Sequence, residues 1–434
     1  MASGRFPGRP VVVVDGCRTP FVRSGTDFVD LSAYDLARWA LAGLLHRTGL
    51  EPREVGLLVL GCVIQDADTS NVAREAGLAA GLAPSCPAFT VTVACVSANV
   101  AFLNAAHAVA SGQVDVAIAG GTETLSDAPI RLSRAMRKRL MAAQKAKGPL
   151  DLIRRFARTR LRDLRPQIPA IADFSTGLTM GQNGERLAKR LGVTREEQDA
   201  YALASHHKAA RAQRDGRLGA QIVPVTVPGS FRIVREDNGI RGDSTPEKMA
   251  SLKPAFDKTF GTLTAANSSF LTDGASAVLL MAEEKARALG IAPRARLVAS
   301  ALTAMDPLDE LLLGPAFAIP RALDAAGLSL EQVGVVEVHE AFAAQMVANL
   351  KLLQSEAFAR EKLGRPAAVG KVPPERLNAW GGSLSIGHPF GATGGRLIAT
   401  CVQRMEEEGA RYGLVAACAA GAIGNAMVFE RVEP

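Results

Sequence analysis

A chain of 434 residues, 48% of them hydrophobic, is longer than one core usually supports and can fill two, which points to a multidomain globular protein and excludes a disordered or fibrous one. Six scattered cysteines, with no CxxC pair and no Cys/His cluster at metal spacing, exclude a disulfide framework and a local zinc motif, and fit a reducing, cytosol-like compartment. The net charge of +7 is concentrated: thirteen Lys/Arg face two Asp between Arg131 and Arg165, so the rest of the chain is slightly acidic.

The first ten residues before the strand-like VVVV at 11–14 are too few for a secretory signal or a typical transit peptide. EPREVGLLVLGCVIQ (51–65) reads as a helix end, a buried strand and a polar turn. Residues 76–114 carry no formal charge, but Pro84, Pro87, Thr90, Thr92, Ser97 and Asn99 interrupt them, so buried α/β core is expected and not a membrane span. Within that stretch TVTVACVSANVA (90–101) stops an alternating β-branched run at Cys95 and begins a small-residue helix from about Val96 to Ser111, with Gly112 as its stop. VDVAIAGG supplies the next strand.

Residues 130 to about 250 then break the rhythm with the basic segment, the helical run GQNGERLAKRLGVTREEQDAYALASHHKAARAQRDG and a Pro/Gly-rich stretch ending near Lys253. The basic segment has one aromatic, Phe156, and no recognition motif, which argues against nucleic acid and for a solvated basic face or a phosphate or membrane docking surface. GTLTAANSSFLTDGASAVLLMAEEKARALG resumes with a loop, a strand and a helix, and SLEQVGVVEVHEAFAAQ (329–345) echoes the pattern of residues 51–65. A Gly-rich turn into a helix and the strand YGLVAACAAG complete the second half. Strands alternating with helices at this spacing predict parallel sheets with right-handed crossovers in an internally duplicated α/β protein. The boundaries read as 1–129 plus 251–290 for the first half, 130–250 for an inserted, mainly helical loop domain, and 291–434 for the second half. In parallel sheets the strand-end loops carrying Cys95, His339, His388 and Cys418 would meet at one crevice.

Cys95 at a helix start stands where the helix dipole favours thiolate, making it a candidate nucleophile; a buried structural cysteine is the alternative. His388 lies in GGSLSIGHPFGATGG (381–395), whose six glycines imply tight turns or close approach to a ligand. An imidazole there suits a general base for a thiol. Cys418 ends an apolar strand before small residues whose N–H groups could form an oxyanion site, although a cysteine in an Ala-rich strand is also ordinary core. His339 and Glu340 stand at a strand-to-helix turn; HExxH zinc ligation is excluded because Ala343 occupies the fourth position after His339.

On the four stretches VACVSA, HEAF, GHPFGATGGR and CAAGAIG, in this order and on a duplicated α/β plan, the chain resembles the thiolase family over nearly its whole length. HEAFAAQ and ADFSTGLTMG (172–181) resemble in particular the β subunits of fatty-acid oxidation trifunctional complexes. The resemblance implies the thiolase fold, two duplicated halves packed as layered α/β sheets. It also implies CoA-dependent cleavage of 3-ketoacyl-CoA through an acyl-cysteine, with CoA as substrate and neither a bound cofactor nor a metal. Cys95 would be the acyl acceptor, His388 its base, Cys418 the α-carbon acid/base, and His339 the holder of the thioester oxygen. Backbone N–H of Cys95 and Ala420 would form a second oxyanion hole, while Lys253, Ser269 and Met180 would contact CoA. At least a dimer and a hydratase/dehydrogenase partner subunit are implied as well, while the cysteine usage points to the cytoplasm and the basic segment to peripheral membrane contact. Rival readings are an acetoacetyl-CoA thiolase running the condensation and a non-catalytic CoA-binding subunit. Ala422 departs from the family's usual glycine; if that position needs positive φ, roughly 1 kcal/mol of strain follows.

Overall fold

The computed structural model describes residues 6–157, 159–167 and 172–433. In chain order the principal elements are β1 (Val11–Arg18), α1 (Ala33–Thr48), β2 (Leu57–Gly61), β3 (Ala88–Val91), α2 (Ser97–Ala110) and β4 (Val116–Glu123). The intervening region contributes α3 (Arg134–Ala143), α4 (Pro149–Phe156), α5 (Met180–Arg190) and α6 (Arg195–Arg214). There follow β5 (Thr272–Ala282), β6 (Ala295–Ala304), α7 (Gly314–Ala326), β7 (Val335–Val338), α8 (Ala343–Leu353), α9 (Thr393–Glu407), β8 (Tyr412–Ala419) and β9 (Ile423–Arg431).

The strands lie in the order β7-β8-β9-β6-β1-β5-β4-β2-β3. Reading outward from the centre, β1, β5, β4, β2 and β3 of the first half repeat as β6, β9, β8 and β7 of the second, and a parallel bridge from Val336 to Leu377 stands where β3 would. Among the described residues the two half-sheets pair through Val12 with Arg296 and Val13 with Ala295. Between them, one core gathers Phe102 and Val109 of α2 and Leu397 and Val402 of α9 with inward residues of both half-sheets. α1 packs on the outer face of the first half-sheet and α7 on that of the second. Because both faces of each strand are covered, β1 buries Val11 and Val13 on one side and Val12 and Val14 on the other. That accounts for an unbroken valine run instead of an alternating one.

The expected all-parallel sheet is a mixed one. β2 runs parallel to β3 and β4, and β7 parallel to β8, but β5 and β9 run antiparallel to both of their neighbours. For β9 the reason is local: only three residues, Ala420 to Ala422, separate it from β8, too short for a crossover, so the chain turns back as a hairpin.

α5 and α6 each start on a threonine, Thr179 and Thr194, whose side chain caps the helix while Gln182 or Glu197 reaches back to it. α6 packs against α8 and the short helix Ser383–Ile386, fixing the insertion over the second half. The uncharged stretch 76–114 is divided among the end of a helix (Val72–Ala79), β3 and α2, and among the described residues no helix is long and apolar enough to cross a membrane.

Candidate active site

Cys95, Cys418, His388, Ala420, Ser269 and Met180 line one cavity of about 580 Å³ at the strand ends. Cys95 follows β3 and precedes α2; its neighbour Ala94 is held at φ 45°, a left-handed turn that presents the thiol to the cavity. Ser97 secures this turn, accepting from Val93 N–H at 2.8 Å and donating to the Ala94 carbonyl at 2.7 Å. α9 begins beside α2: a Cβ at Gly394 would lie 2.2 Å from Asn99 Oδ1, so only glycine lets the two helix starts approach this closely.

The four catalytic candidates, scattered over more than three hundred residues of sequence, converge. Cys95 Sγ and a ring nitrogen from each of His339 and His388 lie within 4.8 Å of one another, and the two rings have centroids 4.0 Å apart. Local spacing argues against a metal motif, yet the fold assembles a soft donor set from distant residues. His388 Nδ1 lies 2.6 Å from Thr393 Oγ1, and that hydroxyl donates to the Pro389 carbonyl at 3.0 Å. With its proton committed there, Thr393 accepts from His388 Nδ1–H, leaving Nε2 with a free lone pair. Nε2 of His388 is buried without a hydrogen-bond partner among the described residues, as is Nε2 of His339.

Burial pushes the Cys95 thiol up to about 12, against the pull of the backbone N–H groups of Ala420 and Cys95 itself. The anticipated lowering by the helix start is therefore overturned: the thiol sits two residues ahead of Ser97, and desolvation outweighs the dipole. The two N–H groups expected to form an oxyanion hole, those of Cys95 and Ala420, are the ones that favour the thiolate here. Burial, then the Arg396 charge, brings His388 down to about 3. His339 is lowered well below the usual histidine value by burial, by His388 and by Arg396. Cys418 is raised by burial and by the sulfur of Cys95. Two neutral imidazoles thus face two neutral thiols.

Residues 11–284 match the family described as thiolase, N-terminal domain, and residues 291–431 match thiolase, C-terminal domain. The chain belongs to the thiolase family. It is 53% identical over 422 residues to the mitochondrial trifunctional enzyme subunit beta of Bos taurus, covering 97% of this chain and 88% of that protein. Two solved structures are also similar. The Bacillus anthracis acetyl-CoA acetyltransferase has a TM-score of 0.84 at 32% identity, covering 98% of this chain and 100% of that one. Human mitochondrial 3-ketoacyl-CoA thiolase in complex with CoA has a TM-score of 0.83 at 30% identity, covering 98% of each.

In this thiolase Ser269 and Met180 line the cavity, whereas Lys253 is exposed and outside its lining. Ala422 does adopt positive φ, 55°, and its methyl is fully buried in the cluster that contains Cys418. Glu340 anchors the site from behind, accepting from Tyr201 at 3.0 Å, Ser205 at 2.8 Å and Asn378 at 2.7 Å. Sequence reasoning missed Glu123, which ends β4. Its carboxylate accepts from the N–H groups of Ile64 (2.8 Å), Val63 (3.1 Å) and Gly391 (2.8 Å), tying the loop beside Cys95 to the loop of His388. A lone acid at the end of the strand VAIAGGTE was the available signal. A larger groove of about 1090 Å³ shares Val63 and Ile64 with the catalytic cavity and is lined by Arg131, Arg162 and Arg165. It holds none of the four reactive groups, so the chemistry belongs to the smaller cavity.

Proposed function

We propose that this thiolase is an acetyl-CoA C-acyltransferase that cleaves 3-ketoacyl-CoA with CoA, giving acetyl-CoA and a shortened acyl-CoA in fatty-acid β-oxidation. The observation that carries the reading is the meeting of Cys95 with a ring nitrogen of His388, whose Nε2 is free, beside the N–H groups of Cys95 and Ala420. His388 takes the thiol proton as sulfur attacks the 3-keto carbon, and the two N–H groups receive the resulting oxyanion. Collapse breaks the C2–C3 bond; the electron pair passes to the thioester enolate, whose oxygen faces His339, and Cys418 protonates C2. Acetyl-CoA leaves. The Cys418 thiolate then takes the proton of CoA as CoA attacks the acyl-cysteine, and His388 returns its proton to departing Cys95. Two half-reactions sharing one covalent intermediate make the kinetics ping-pong. CoA serves as substrate, and the sequence relative solved with CoA supports that choice.

Mass spectrometry after mixing with 3-ketoacyl-CoA in the absence of free CoA should find the acyl group on Cys95; an adduct on Cys418, or none, rejects the scheme. The condensing direction is the rival, favoured by the likeness to an acetyl-CoA acetyltransferase. Cleavage rates rising with acyl chain length decide for degradation.

The insertion 130–250 is assigned as the cover for the nucleotide end of CoA, and the assembly as at least a dimer that partners a hydratase/dehydrogenase subunit. Six unpaired thiols support a reducing, cytoplasm-like setting. The basic segment is assigned to docking on an anionic membrane surface or on that partner, because apolar side chains stand exposed among its charges: Leu150 is 74% exposed and Leu161 89%. Arg158 lies outside the described residues. Changing Arg154, Arg155 and Arg160 to Glu should abolish vesicle cosedimentation or partner pull-down. A raised KM for CoA with both associations intact would assign the segment to substrate instead.

A further inference from the structure

His339 and His388 have ring centroids 4.0 Å apart and each leaves Nε2 without a hydrogen-bond partner among the described residues, yet their Nδ1 partners differ in kind. Thr393 accepts from His388, as its bond to Pro389 requires. For His339 the partner is Ser383 Oγ, at 3.0 Å from Nδ1. That oxygen is also 3.0 Å from Nη2 of Arg396. A guanidinium can only donate, so Ser383 accepts from Arg396 and its single hydroxyl proton is free to be given to His339 Nδ1. An imidazole accepting at Nδ1 carries its proton on Nε2. We propose that Ser383 and Arg396 are positioning residues that fix His339 as an Nε2–H donor, so that adjacent histidines stand in opposite tautomers, one accepting the thiol proton and the other donating to the substrate thioester oxygen.

The line extends further back. Arg396 Nη1 lies 3.7 Å from Glu337 Oε2, and Glu337 also pairs with Arg404 at 2.7 Å; all three side chains are fully buried. Glu337 precedes His339 by two residues on β7, Ser383 opens the short helix Ser383–Ile386 and Arg396 lies on α9, so the line from carboxylate to ring nitrogen crosses three separate elements. The Arg396 charge also disfavours protonation of both rings, which preserves the difference between them. A His339 in the other tautomer would turn a lone pair toward the developing enolate oxygen and repel it.

The inference rests on the reading of His339 under Proposed function, and the test separates the two. Full-length Ser383→Ala and His339→Ala proteins are compared in three assays: CoA-dependent cleavage, exchange of the α-protons of an acyl-CoA with solvent, and iodoacetamide alkylation of Cys95. For Ser383→Ala, kcat and α-proton exchange should each fall about 10–100-fold with KM nearly unchanged, while alkylation stays within about threefold of the parent. His339→Ala should show the same split, at least as deep. Nitrogen-15 spectra of histidine-labelled protein should show a ring with unprotonated Nδ1, besides that of His206, whose Nδ1 accepts from the Arg241 N–H at 3.2 Å, and this signal should be absent from His339→Ala and altered in Ser383→Ala. Unchanged cleavage by Ser383→Ala, or an equal fall in all three assays, overturns the relay. If His339→Ala itself cleaves normally, the oxyanion role of His339 falls with it.

Discussion

The resting state of the nucleophile decides how the enzyme is switched on, and it is open to direct measurement. With Cys95 near 12 and His388 near 3, transfer of the thiol proton to the imidazole is strongly uphill. Reactive thiolate in the free enzyme must then come from loss of the proton to solvent, and its fraction rises with pH. The rate of Cys95 alkylation by iodoacetamide should climb about tenfold per pH unit from roughly pH 6 to 9, with no plateau, because the whole range lies below the thiol's pKa. At pH 7 it should trail an exposed cysteine, whose pKa is about 8.5, by up to about 10³-fold. The assay is peptide mass spectrometry of Cys95 after timed quenching, with Cys95→Ser as the blank. A plateau between pH 5 and 8 would refute the neutral-pair argument, since only a preformed ion pair gives a rate indifferent to pH there.

His388→Ala should lower turnover by about 10²–10⁴-fold while leaving the slope of that alkylation profile in place, because the base acts only as the proton moves; parallel pH–rate series check this. Cys418→Ser should retain Cys95 acylation by an acyl-CoA but lose α-proton exchange, read by deuterium incorporation into acetyl-CoA. Zinc should inhibit reversibly, more strongly as pH rises, since binding to Cys95 and His388 releases the thiol proton; titration with ZnCl₂ and reversal by chelator test this. Ala422→Gly should change stability by less than about 1 kcal/mol in denaturant melts. Relief of roughly 1–2 kcal/mol of left-handed strain is offset by loss of a buried methyl, about 0.8 kcal/mol, and by glycine's backbone entropy, about 0.5–1 kcal/mol.

Cys95, His388, Cys418 and His339 were legible in the sequence because chemistry forced reactive residues into unusual local company: a cysteine where strand gives way to helix, a histidine among six glycines, a cysteine before small residues. The duplication was legible from the repeated strand and turn pattern. Strand direction was not, because it depends on how few residues join β8 to β9 and on partners remote in the chain, such as β5 beside β1 and β4. The thiol's ionisation was misjudged for a related reason: the helix start is visible locally, but desolvation is set by residues from both halves. Glu123, Ser383 and Arg396 escaped because their partners lie in other elements: Glu123 holds Gly391, Ser383 meets His339, and Arg396 donates to Ser383.

The packing of α2 against α9 has a meaning beyond its apolar contacts. These helices are counterparts in the two repeats, and Cys95 and His388 each stand just ahead of the first turn of one of them. Because α2 and α9 share the core between the two half-sheets, their first turns are held side by side, and the loop leading into each delivers its reactive residue to the same cavity. A nucleophile from one repeat and a base from the other thus become neighbours through the packing of two matching helices, and neither half has to carry both groups.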